Sequence, residues 1–142
     1  MKHFLLIAIL AGLVSCQTTT SSTESSQLGP VISVESYRSY PAHIDSIYDG
    51  DTVTATIDLG FDLNYVQSIR LLGINAPEVR GVDKINGLAS RDHLRSILMG
   101  KDVTILVPKK ERGKYGRILG DIILDGKNIN DSMVESGFAE TY

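Results

Sequence analysis

The chain is poor in the residues that build covalent or soft-metal frameworks. Its 142 residues include one cysteine, Cys16, so an internal disulfide is excluded. Three histidines, His3, His43 and His93, stand apart from one another. No His/Cys cluster exists that could support zinc-type coordination. There is no internal repeat, and no apolar run is long enough to cross a bilayer as a mature helix. Positive charge is also scarce: 14 Lys and Arg against 17 Asp and Glu give a net charge of −3. The whole molecule therefore exerts no global attraction on nucleic acid, and a polyanion would need a local basic site.

What remains is the length of one domain with a 42% hydrophobic, 22% charged composition typical of globular chains. The first residues do not belong to that domain. "MKHFLLIAILAGLVSC" begins with Lys2, continues through an apolar stretch and ends in small residues, the layout of a secretory signal. Its ending, Leu13-Val14-Ser15-Cys16, resembles the lipobox of bacterial lipoproteins. The resemblance implies cleavage after residue 15 and lipid attachment at Cys16, several acyl chains giving firm anchoring. The expected location is a bacterial membrane, at the cell surface or its periplasmic face; without lipidation the protein would be secreted. Residues 16–30 are Ser/Thr-rich and almost free of apolar side chains, which reads as a tether. The folded domain is expected over 31–142.

Within it, "AHIDSIY" (42–48), "TVTATIDL" (52–59) and "YVQSIRLLGI" (65–74) alternate as three antiparallel strands. "GLASRDHLRSILMG" (87–100) changes to helical spacing. "DVTILV" (102–107) and "RILGDIIL" (117–124) are two further strands, and "NINDSMVESG" (128–137) is a short helix. Three strands, a helix, two strands and a helix is the order of a small OB-type barrel.

Three clusters carry chemistry: "DGDTV" (49–53), "RLLGINAPE" (70–78) and "KYGR" (114–117). Singly, each has an ordinary reading as a turn, a strand exit or a solvated basic loop. Together they supply what phosphodiester hydrolysis requires. Asp51 and Glu78 are carboxylates, one for a hard cation and one for a water proton. Arg70 and Arg117 are guanidinium forks that can each hold two phosphate oxygens. Lys109, Lys110, Arg112, Lys114 and Arg117 form a local basic funnel within an acidic chain, so binding should weaken in salt.

The three motifs, in this order over about residues 41–142, resemble the thermonuclease (staphylococcal nuclease-like) family. The resemblance implies a mainly β (α+β) fold, a five-stranded OB-fold barrel with two or three flanking helices. It further implies an endonuclease that cleaves DNA and RNA with one Ca²⁺ ion. Asp51, the side chain of Asn75 and the backbone carbonyl of Ala76 would hold the metal. Arg70 would bind the scissile phosphate, Glu78 would hold the attacking water, and Arg117 would stabilise charge developing on phosphorus. Lys114 and Tyr115 would contact substrate. No obligate protein partner is implied.

The chain departs from the family where Asp is usual and Asn75 stands, and where Thr is frequent and Ala76 stands. The second change is neutral, because the carbonyl is the ligand. The first removes one negative charge from the metal site and predicts weak binding. The alternative reading is an OB-fold lipoprotein that binds nucleic acid without cutting it; the presence of Arg70, Glu78 and Arg117 favours the enzyme.

Overall fold

The computed structural model describes residues 36–109 and 116–142. Five strands close into a barrel: β1 (Tyr37–Ile47), β2 (Thr52–Asp58), β3 (Asn64–Leu71), β5 (Asp102–Pro108) and β6 (Ile118–Leu124). Two-residue strands β4 (Ile74–Asn75), β7 (Lys127–Asn128) and β8 (Glu140–Thr141), with helices α1 (Lys84–Leu98) and α2 (Ile129–Glu135), complete it. The sheet order is β3-β2-β1-β5-β6-β7, and β3 also pairs with β6. That last pairing is parallel, Ile69 to Ile118 and Arg70 to Leu119, in a barrel otherwise antiparallel. This closed mixed barrel with two helices is the OB-type architecture expected from the element order.

The pleat explains the core. Alternate residues point inward, so Val53, Ala55 and Ile57 of β2, Ile69 and Leu71 of β3, and Val103 and Ile105 of β5 are buried. On β1 the buried positions are Ala42, Ile44 and then Ile47. The change of step coincides with a register shift between Ile44 and Ser46, a bulge that turns Ile47 back toward the core. Helix α1 buries Gly87, Ser90, Leu94 and Leu98, a stripe at helical spacing. It is fixed to β1 through Arg95 Nη2 donating to the Ile47 carbonyl at 3.1 Å.

Three element boundaries differ from the sequence reading. β1 starts at Tyr37 rather than residue 42, because its first residues pair with β5 alone and do not alternate in burial. The third strand, expected to end at Gly73, stops at Leu71, and Ile74–Asn75 form the separate β4. Helix α1 begins at Lys84, so Gly87 lies inside it. Glycine normally weakens a helix interior, and here tertiary packing overrides that preference.

Asn130 holds the barrel, α2 and the β3–β4 turn together. It is 1% exposed. Its Oδ1 accepts from Ile122 N at 3.2 Å, and its Nδ2 donates to the carbonyls of Leu72 at 3.0 Å and Gly120 at 3.2 Å. The Asp121 carboxylate accepts from Nδ2 as well, at 2.9 Å.

Candidate active site

The site forms where β2 begins and β3 ends, since Thr52 pairs with Arg70. The "DGD" turn delivers Asp51 to this point and the strand pairing delivers Arg70. Asp51 is 6% exposed, yet each of its oxygens has a partner. Oδ1 accepts from Thr52 Oγ1 at 3.0 Å. Oδ2 accepts from the Ala76 N–H at 2.8 Å and lies 2.7 Å from Arg70 Nη1. Arg70 Nη2 donates to Asn75 Oδ1 at 3.2 Å.

One guanidinium fork thus bridges the two side-chain oxygens that the sequence assigns to a cation. The Nη1–Asp51 contact is a close charge pair whose N–H bonds are not directed at the carboxylate. Nη1 is consequently a buried donor without a hydrogen-bond acceptor. A buried donor without an acceptor is costly, and a phosphoryl oxygen is a group that can satisfy it.

Asp49 sits against this pair. Its Oδ1 accepts from the Asp51 N–H at 3.1 Å. Burial, and then the neighbouring Asp51 charge, push its carboxyl up to about 6. The turn itself is pressed against its surroundings: a Cβ on Gly50 would collide with Ser90 Oγ and Ala76 Cβ. Ser90 in turn donates to the Phe138 carbonyl at 2.7 Å. Similarly, a Cβ on Gly87 would collide with the Glu78 carbonyl, so α1 rests directly on the backbone of Glu78. The Glu78 side chain is exposed.

The other edge of the loop is held by the C-terminal strand. Ile74 pairs with Thr141, Asn75 pairs with Glu140, and Tyr142 N donates to the Gly73 carbonyl at 2.8 Å. Beside Arg70 opens a cleft of about 290 Å³, lined by Leu71, Leu72, Ile74, Leu119 and Tyr142.

Of the residues expected from the sequence, Asp51, Arg70, Asn75 and Ala76 come together in direct contact. Arg117 is half-buried and immediately precedes β6. The parallel register places it on the face of the sheet that carries Arg70, two steps behind its partner Leu119. Gln67 Nε2 holds the preceding residue by donating to the Gly116 carbonyl at 2.8 Å. Lys114, Tyr115, Lys110, Arg112 and Cys16 lie outside the described residues.

The donor set tests the metal expectation. Among the described residues no three His, Cys, Asp or Glu side chains converge on a metal position. What converges is one carboxylate and one amide oxygen, hard donors within reach of a single cation, here the guanidinium. That set suits Ca²⁺ chemically but supplies little charge.

Sequence reasoning did not find Thr52, Asp49, Gly50, Gly87, Ser90 and Asn130. The first three lie in or beside the "DGDTV" motif and were available there as a unit. The others act across the fold, and their one-dimensional spacing carries no signal.

The family model described as "Staphylococcal nuclease homologue" matches residues 68–142. A Bacillus subtilis (strain 168) protein named "Endonuclease YhcR" is 31% identical over 113 residues, covering 72% of this chain and 9% of that protein. An Escherichia coli protein named "Uncharacterized endonuclease" is 37% identical over 97 residues, covering 68% of this chain and 57% of that protein. Arabidopsis thaliana contributes "Staphylococcal-like nuclease CAN1", 36% identical over 74 residues, 52% of this chain and 21% of that protein. The chain therefore spans less than two thirds of each of these relatives.

Proposed function

Because the chain belongs to the staphylococcal nuclease homologue family, we propose that it is a Ca²⁺-dependent endonuclease of DNA or RNA, held at a bacterial membrane by lipid on Cys16. The observation that carries the catalytic reading is the Arg70 fork, which joins Asp51 to Asn75 at the meeting of β2 and β3. The relatives whose names include endonuclease or nuclease support the same reaction class.

Asp51 Oδ2 and Asn75 Oδ1, with the Ala76 carbonyl, would hold the cation, which supplies Lewis-acid charge to a phosphoryl oxygen when bound. The chain's own groups do the rest. Arg70 binds a non-bridging oxygen of a phosphodiester entering the site. Arg117, on the same face, reaches a second non-bridging oxygen. Glu78, exposed on the loop that follows Asn75, orients the attacking water and takes its proton. As water adds to phosphorus, negative charge grows on the non-bridging oxygens, where two guanidinium groups lower the barrier most; the opposite P–O ester bond then breaks, and its oxygen leaves as an alcohol after taking a proton from solvent. The apolar cleft beside Arg70 offers a surface on which a base of a single-stranded substrate can lie.

The test is cleavage of single-stranded DNA and of RNA with Ca²⁺, then with chelator. Cleavage that requires Ca²⁺ and is lost in Glu78→Gln and Arg117→Ala is expected. Binding without cleavage would instead favour a non-catalytic nucleic-acid-binding lipoprotein. Incorporation of labelled palmitate, abolished by Cys16→Ser, tests the anchor.

A further inference from the structure

The connection between β2 and β3 concentrates exposed apolar side chains in a short segment. It exposes Leu59, Phe61 and Leu63, with Phe61 98% accessible, and the start of β3 adds exposed Tyr65 and Val66. Exposed apolar side chains concentrated in one short segment mark an interaction surface. The loop is also ordered. Leu59 N donates to the Leu63 carbonyl at 2.9 Å, Leu63 N to the Gly60 carbonyl at 3.0 Å, and Gly60 N to Asp58 Oδ1 at 2.7 Å. Gly60, Phe61 and Asp62 are all left-handed, at φ 79°, 55° and 62°. A bulky aromatic in that region costs backbone energy. Here the fold bears that cost without burying the ring in its own core.

The strand register says where this tip points. Ala42 pairs with Ile57, and β1 runs antiparallel to β2. The start of β1, at Tyr37, therefore lies at the same end of the sheet as residues 59–63. The chain that precedes Tyr37 leads back to Cys16 over about twenty residues, a reach of at most about 70 Å. The site lies at the opposite end of β2 and β3, where Thr52 meets Arg70, about 20 Å along the strands from Asp58. Arg38, exposed near the start of β1, provides a cation at the tip's own end. Asp58 and Asp62 outweigh it by one negative charge, which suits a zwitterionic surface over a strongly anionic one.

We infer that residues 59–63 form a shallow second membrane contact, with Leu59, Phe61 and Leu63 dipping into the interface and Tyr65 at headgroup level. This inference rests on the reading that Cys16 carries lipid. One lipid-bearing residue fixes the chain to the surface but leaves the domain free to tumble. A second apolar contact at the same end sets its orientation and turns the Asp51–Arg70 end toward bulk solution, where a polymeric substrate arrives.

The sequence contains no tryptophan, so a single introduced one reports its own environment. The full lipidated chain is reconstituted in phosphatidylcholine vesicles, with and without brominated acyl chains. Three variants are compared: Phe61→Trp; Leu63→Trp, as a second reporter should the first disturb the turn; and Tyr48→Trp, exposed at the opposite end of β1. Both tip reporters should shift to the blue on vesicles, and brominated lipid should quench them severalfold more than Tyr48→Trp. Tip emission unchanged from buffer on floating protein, or quenching equal to that of Tyr48→Trp, would overturn the inference. So would a blue shift in lipid-free buffer that grows with protein concentration, which would assign the tip to a second copy. Flotation of Cys16→Ser as complete as that of the wild type would remove the anchor reading, while the tip reporters would still decide the hairpin separately.

Discussion

Arg70 and Asn75 show how much one amide-for-carboxylate difference can decide. Arg70 spans Asp51 and Asn75, and only Asp51 carries charge. Replacing Asn75 by Asp adds a negative charge where the cation's oxygens converge. The expected outcome is Ca²⁺ binding tighter by about tenfold, seen as a larger Ca²⁺-dependent rise in Tm and a lower half-saturating concentration for cleavage. An unchanged or weaker Ca²⁺ response would remove residue 75 from the metal site. Asn130 makes a different prediction, of stability alone. Truncation to Ala leaves the Ile122 N–H and the Leu72 carbonyl without the partner they now have. Denaturant unfolding should show a loss of roughly 3 kcal/mol. Asn130 could not be read from the sequence, because an asparagine in the first turn of a short helix is ordinary there. Its importance comes from three segments brought to it by the fold. Asp51, Arg70 and Asn75 were legible because their motifs pair hard oxygens and a fork at strand ends. Their mutual contacts were not, since these depend on the register of β2 against β3.

At the level of elements, alternation gave the barrel strands and helical spacing gave α1 and α2, while the boundaries followed packing. The start of α1 is the instructive case. Gly87 reads as a helix beginning because glycine disfavours helix interiors, whereas the structure keeps it inside α1 so that the helix can touch the Glu78 backbone. Gly87→Ala should raise helix propensity by about 1 kcal/mol in isolation. In the protein it should nonetheless lower stability and cut kcat, because the Glu78 segment must move away from the helix. Paired unfolding and single-turnover measurements check this; a variant both more stable and fully active would refute the positioning role of α1. The break of the third strand at Leu72–Gly73 has the same origin. The apolar run continues to Ile74, but Leu72 N donates to the Gly120 carbonyl while Asn75 turns to pair with Glu140.

For the molecule as a whole, pH also acts through a half-buried carboxylate away from the site. Asp121 lines a cavity of about 530 Å³ with Asp131 and Glu135 near α2. Burial raises its pKa from 3.8, and the Asp131 charge raises it further against the opposing hydrogen bond from Asn128. The folded state therefore holds this proton more tightly than the unfolded chain. Its contribution to stability is fully present below the unfolded value and is lost as pH rises through the folded one. Asp121→Asn should remove that dependence, so its stability relative to the wild type should improve from pH 4 to pH 7 in denaturant titrations. A relative stability independent of pH would refute the assignment. At this scale, too, the closure of β3 on β6 and the pairing of β4 with β8 have a consequence for timing. The reactive groups come from segments spread between Asp49 and Tyr142, and they meet only when the last of them has docked. On the proposed reading of an exported nuclease, a precursor threaded through a membrane as an extended chain would carry the parts of the site without its competence, and the cell's own nucleic acids would be spared until the barrel closes on the far side.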